Sequence, residues 1–156
     1  MSKNIHDSLT ELVGNTPLVR LHGYEKKLGL KAHLLAKVEY FNPIGSIKDR
    51  IVLRIIEDAE REGKIKPGVT TLVEYTSGNT GIAVSAIGAM KGYDVTIYLQ
   101  DGTSQERFDI MKAYKFFRLA TGTIASRYMI RCAHGLYHLN RLRIDSGSVF
   151  SSFALA

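Results

Sequence analysis

One cysteine, Cys132, stands in 156 residues. A lone thiol excludes an intrachain disulfide framework and suits a reducing compartment, so a cytoplasmic protein is expected. Long apolar runs are also missing. The longest helix-like one, Gly81 to Met90, falls well short of the ~18 residues a membrane span needs. The opening Met1 to Ser8 is polar and has no stretch of signal-peptide length. No internal repeat and no nucleic-acid motif is found, and no metal site is expected.

Acidic residues are scarce in one place only. Residues 1–114 hold fifteen Lys/Arg and fourteen Asp/Glu, whereas residues 115–156 hold six Lys/Arg and only Asp145. The net charge of +6 therefore belongs almost entirely to the last 42 residues. So sharp an asymmetry separates the chain into a globular part, 1–114, and an unassigned basic tail, 115–156. Within the tail, Arg127, Arg131, His134, His138 and Arg141 fall at helical spacing. That face could belong to a basic helix over 127–144, although Gly135 interrupts it. Ser146 to Ala156 shows no strand or helix period. If the tail is out-of-frame sequence, deleting it is expected to cost little stability; if it is a docking element, the deletion is expected to destabilise residues 1–114 or abolish a salt-sensitive interaction.

What is present in residues 1–114 is an alternation of short strands and helices. Pro17–Leu21 and Ala32–Val38 read as strands separated by a Lys- and Gly-containing turn. Ser46 followed by Asp49 is a capping pattern that opens a helix. Ile47, Ile51, Ile55, Ile56 and Ala59 are its expected buried stripe, and Gly63 its end. Thr70–Tyr75 is rich in β-branched residues and reads as a strand. The small-residue loop Thr76–Gly81 leads into a helix with Ile82, Ala83, Ala86, Ile87 and Met90 inward. Val95–Leu99 is the next strand, and a third helix runs from Thr103, with Glu106 completing its cap, to about Tyr114. This order predicts an α/β fold, a parallel sheet with flanking helices.

Two places carry chemistry. Lys48 lies in the first turn of a helix, where the macrodipole disfavours a cation. A positive potential there helps release a neutral amine for Schiff-base chemistry. From position alone a solvated surface lysine is the commoner case. The loop 76–81 brings the hydroxyls of Thr76, Ser77 and Thr80, the amide of Asn79 and the backbone of Gly78 to a helix start. Such a start suits a carboxylate or phosphate. A plain strand-to-helix turn is the alternative.

Taken together, Asn42-Pro-Ile-Gly-Ser-Ile-Lys48-Asp-Arg50 and Thr76-Ser-Gly-Asn-Thr-Gly81 resemble the paired signature of fold type II (tryptophan synthase β-like) pyridoxal-phosphate enzymes. Asn15-Thr-Pro-Leu-Val-Arg-Leu21 is similar to the family's opening motif. Ile56-Glu-Asp-Ala-Glu60, Lys91-Gly-Tyr93 and Ile110-Met-Lys-Ala-Tyr114 resemble the cysteine synthase branch, with cystathionine β-synthase close to it. The resemblance implies that Lys48 carries pyridoxal phosphate and that Asn79 hydrogen-bonds the phenolic oxygen of its ring. Thr76, Ser77, Gly78 and Thr80 would hold the substrate α-carboxylate.

The implied reaction replaces the acetate of O-acetylserine with sulfide to give cysteine, with Lys48 taking the Cα proton. Members of the family are homodimers that act on small amino acids. The resemblance stops near Tyr114. Gln100 stands where the family usually has proline, and Thr121-Gly-Thr123 does not match the family's phosphate loop. The chain is therefore expected to be the N-terminal part of such an enzyme, inactive alone, its tail compatible with an out-of-frame segment. The rival reading is a non-catalytic α/β binding or regulatory module whose basic tail engages an acidic partner.

Overall fold

A computed structural model describes residues 5–76, 78–99, 102–114, 118–121 and 136–138. After a short 3₁₀ turn at Leu9–Leu12, strand β1 (Leu18–Arg20) pairs with β2 (Leu35–Lys37). The two run antiparallel and lie apart from the main sheet. The turn expected between them is a helix, α1 (His22–Leu28). Its sequence signals were Lys26 and Lys27 in the last turn and Gly29 just beyond, at φ 60. Glycine takes that left-handed backbone at no steric cost, so Gly29 ends the helix there. A second 3₁₀ turn, Glu39–Phe41, leads toward α2 (Lys48–Arg61).

The main sheet is all parallel. β3 (Thr71–Tyr75), α3 (Asn79–Met90), β4 (Asp94–Leu99), α4 (Gln105–Ala113) and β5 (Arg118–Thr121) follow in order, and β6 (Leu136–His138) joins the same sheet. The spatial order is β5-β4-β3-β6, with β3 against β4 in register from Thr71↔Asp94 to Tyr75↔Tyr98. The strand–helix–strand pattern of the sequence is thus built as expected for β3, β4 and their helices. Two differences come from the tail. β5 and β6 both lie beyond Tyr114 and extend the sheet on its two sides. Leu136–His138 is a strand, so no continuous helix crosses 127–144; the other residues of that basic face lie outside the described residues, as do Cys132 and Ser146–Ala156.

The core forms where α2, α3 and the sheet meet, around Val52, Ile56, Leu72, Ile87, Val95 and Ile97. The buried stripe of α2 is Val52, Leu53, Ile56 and Ala59, with Asp49 at its start. Ile47 and Ile51, expected inside, are 51% and 47% exposed. The isoleucines at spacing four mark one face, but Val52 and Leu53 rotate the apolar centre toward α3, and that packing wins. Helix α3 is buried along Gly81–Gly88, as a helix with little polar surface must be. Met90, expected inward, is only half-buried. Helix α4 starts after Ser104 rather than Thr103. Among the described residues no helix is long and apolar enough to cross a membrane.

Gly88 lets α3 approach the sheet. A Cβ built on it would meet Val95 Cγ2 at 2.5 Å and Leu72 Cδ1 at 3.4 Å. A β-branched core side chain cannot swing away from such a contact. Gly88→Ala is therefore expected to destabilise the fold by about 1–3 kcal/mol, and a Val95→Ala partner should recover part of the loss. Urea denaturation of the single and double variants measures both effects. An unchanged midpoint in Gly88→Ala would show that the helix can lift without cost.

Candidate active site

Lys48 is the first residue of α2, one place nearer the helix end than its spacing from Ser46 suggests. Ser46 still acts locally, since its Oγ accepts the Lys48 N–H at 3.1 Å and donates to Asp49 Oδ1 at 3.3 Å. Asp49 is fully buried and its Oδ2 accepts the Ile44 N–H at 2.7 Å. Burial raises its pKa above the usual aspartate value, while the Ile44 and Ser46 donors pull the other way. The loop before Lys48 turns at Gly45, where φ is 84. The Lys48 side chain is half-buried, and among the described residues its ammonium makes no hydrogen bond or ion pair.

The second part of the site is the link from β3 to α3. Thr76 is held by its N–H to Tyr98 O at 3.0 Å, and its Oγ1 accepts the Gly78 N–H at 3.4 Å. Gly78 caps α3 without a side chain, and no acidic residue occupies the first turn. Among the described residues, the N–H groups of Asn79 and Thr80 find no acceptor. Asn79 is exposed, while Thr76, Gly78 and Thr80 are half-buried; Ser77 lies outside the described residues, as do Gln100 and Thr123. A helix start with free N–H groups and no local carboxylate favours an anion.

Topology relates these two parts. The trailing ends of α2 and α3 are tied side by side. Glu60 of α2 accepts the Tyr93 hydroxyl at 2.8 Å and pairs with Lys91 at 2.9 Å, and Gly68 N–H bonds Gly92 O at 3.0 Å. Each helix then feeds the start of one of two adjacent parallel strands, β3 and β4. The helices pack together, so they run in the same direction for roughly 20 Å. Their first residues, Lys48 and Asn79, therefore both begin toward the carboxyl end of the sheet. Open α/β sheets bind ligands at that end.

Two residues of chemical interest escaped the sequence reading. Glu74 lies inside β3, 4% exposed, and burial pushes its pKa up to about 7. A charged residue inside a β-branched run was the signal. Glu39 sits at the centre of a hydrogen-bonded cluster with Thr16, Asn42 and Arg50. No local pattern marks that cluster.

The residues present fit pyridoxal phosphate in part. Lys48 offers an amine without a competing partner among the described residues, and Asn79 with the open start of α3 offers polar groups for a ring oxygen or a carboxylate. Comparison with known proteins agrees. The family model described as pyridoxal-phosphate dependent enzyme matches residues 9–116. Cystathionine beta-synthase of Mus musculus is 49% identical over 112 residues, covering 72% of this chain and 20% of that protein. A cysteine synthase of Staphylococcus aureus strain Mu50 is 47% identical over 114 residues, covering 73% of this chain and 36% of that protein. The crystal structure of a cysteine synthase from Entamoeba histolytica superposes with a TM-score of 0.80 at 36% identity. It covers 90% of this chain and 45% of that one. The chain thus spans well under two thirds of the relatives it matches.

Proposed function

Since this chain belongs to the pyridoxal-phosphate dependent enzyme family, we propose that its site serves β-replacement on a serine-derived amino acid, with a sulfur nucleophile as the incoming group. The observation that carries this reading is the common direction of α2 and α3, which brings the starts of both helices, and with them Lys48 and Asn79, toward one end of the sheet. The preferred version converts O-acetylserine and sulfide to cysteine and acetate. Cystathionine β-synthase chemistry is the second version, favoured by the 49% identity to the mouse protein.

Lys48 and Asn79 are the residues assigned to hold the cofactor. When bound, pyridoxal phosphate supplies an electron sink that acidifies the substrate Cα–H. Thr76, Ser77, Gly78 and Thr80, with the backbone N–H groups at the start of α3, hold the substrate carboxylate and so aim the Cα–H. The Lys48 amine takes that proton. Acetate leaves Cβ, hydrosulfide bonds to Cβ, and Lys48 returns the proton to Cα. No residue in the 156 is assigned to the cofactor phosphate.

Incubation with pyridoxal phosphate, borohydride reduction and peptide mapping tests the assignment. Label is expected to concentrate on Lys48, to leave that site in Lys48→Ala, and to accompany no measurable cysteine formation by residues 1–156 alone. Label spread evenly over surface lysines would overturn the role of Lys48. Robust turnover that vanishes in Lys48→Ala would overturn the claim that the chain is inactive alone.

A further inference from the structure

The Glu39 carboxylate receives four hydrogen bonds. Arg50 Nε donates to Oε2 at 2.8 Å and Nη2 to Oε1 at 3.1 Å. Asn42 Nδ2 donates to Oε2 at 2.8 Å, and Thr16 Oγ1 donates to Oε1 at 2.8 Å. An ionised carboxylate offers about four acceptor sites, so this one is filled. The Arg50 guanidinium beside it holds its pKa down at about 2. Arg50 Nη2 also donates to Thr16 Oγ1 at 2.8 Å.

From Glu39 the bonds lead toward Lys48. Asn42 is 3% exposed. Its amide nitrogen, whose two hydrogens are shared among three acceptors, also lies 2.8 Å from Glu39 O and 3.0 Å from Ser46 O, while its Oδ1 accepts the Gly14 N–H at 2.8 Å. Ser46 in turn accepts the Lys48 N–H. The amide can point only one way, because a flipped Asn42 would set its oxygen against three acceptors. Gly14 closes the cluster; a Cβ there would press on Arg50 Nη1 at 3.1 Å.

We propose that Glu39 is a positioning residue for Lys48, fixing the 42–47 loop through Asn42 and Arg50 so that the Lys48 amine rises from a rigid backbone. The proposal rests on the assignment of Lys48 as the cofactor lysine. An exposed ion pair would do little, but Arg50 and Glu39 are only 33% and 20% exposed, and Arg50 grips both carboxylate oxygens. Glu39→Gln keeps the shape and turns one acceptor into a donor facing donors. Thr16→Val removes a single hydroxyl at nearly constant volume, and Thr16→Ser keeps it.

The test uses the full chain and reads the share of borohydride-fixed label on Lys48, well below each variant's melting temperature. Misplacement by about 1 Å can cost about a hundredfold in reactivity, so Glu39→Gln and Thr16→Val are expected to lower the Lys48 share about tenfold or more. Thr16→Ser should restore it. Arg54→Gln, which breaks an exposed ion pair with Asp58 on the same helix, should leave the share unchanged. If Glu39→Gln does not fold, the Thr16 pair decides. Even labelling in the parent chain overturns the Lys48 assignment and this proposal with it. Selective labelling of Lys48 that survives Thr16→Val and Glu39→Gln overturns the positioning role alone, and so does equal loss in Arg54→Gln.

Discussion

Removing residues 115–156 is expected to lower stability by more than about 2 kcal/mol, a loss that segments without packed contacts do not produce. Composition alone argues for little cost, since this segment is basic and poor in periodic pattern. The sheet argues otherwise. β5 runs beside β4 from Thr96↔Arg118 to Leu99↔Thr121, and β6 beside β3 from Thr71↔Leu136 to Val73↔His138. Without them β3 and β4 form a two-stranded parallel sheet with both edges open. Each edge then exposes backbone groups that had partners, and open edges recruit other chains. Urea unfolding of chains 1–156 and 1–114, with light scattering on both, measures the effect. Coincident midpoints and a monodisperse short chain would show that the two strands contribute nothing.

Raising the pH from 5 to 9 is expected to cost about 3 kcal/mol of stability through Glu74 alone. Its side chain lies on the same side of β3 as Leu72 and Thr76, two residues away on either hand. Those two meet Gly88 and Gly81 of α3, so Glu74 faces the same helix. Burial raises its pKa from 4.5 to about 7. The folded protein thus holds this proton more tightly than the unfolded chain does. Stability is intact below the ordinary glutamate pKa and is lost as pH rises through about 7. Glu74→Gln removes the titration, so its stability should stay flat where the parent's falls, and the variant should be the more stable at pH 9. Parallel pH profiles for the two proteins would dismiss Glu74 as the source.

Much of the fold was legible because it depends on short-range chemistry. The β-branched content of Thr71–Tyr75 places that strand within a residue, and the apolar content of α3 places that helix, although it begins at Asn79, three residues inside the expected small-residue loop. Lys48 stood out for a similar reason, as a cation in the first turn of a capped helix. Which face of α2 is buried was not legible, since Ile47 and Ile51 fit a helical stripe as well as Val52 and Leu53 do. Only the position of α3 decides between them. Helix α1 was missed because its Leu21 cap offers no side-chain acceptor and Gly23 interrupts its interior.

The sequence by itself determined the order of α2, β3, α3, β4 and α4, the motif around Lys48 and the small-residue segment from Thr76 to Gly81, whose last three residues form the first turn of α3. These rest on propensity, capping and turn residues, which act within a few positions of one another. Tertiary structure alone decided that β1 and β2 leave the main sheet and that β5 and β6 join it. It also decided that Glu39 would gather its donors, because Thr16 and Arg50 are 34 positions apart and Gly14 and Asn42 are 28 apart. Strand partners and filled carboxylates are settled by groups that meet only once the chain has closed, and no local pattern records which groups those will be.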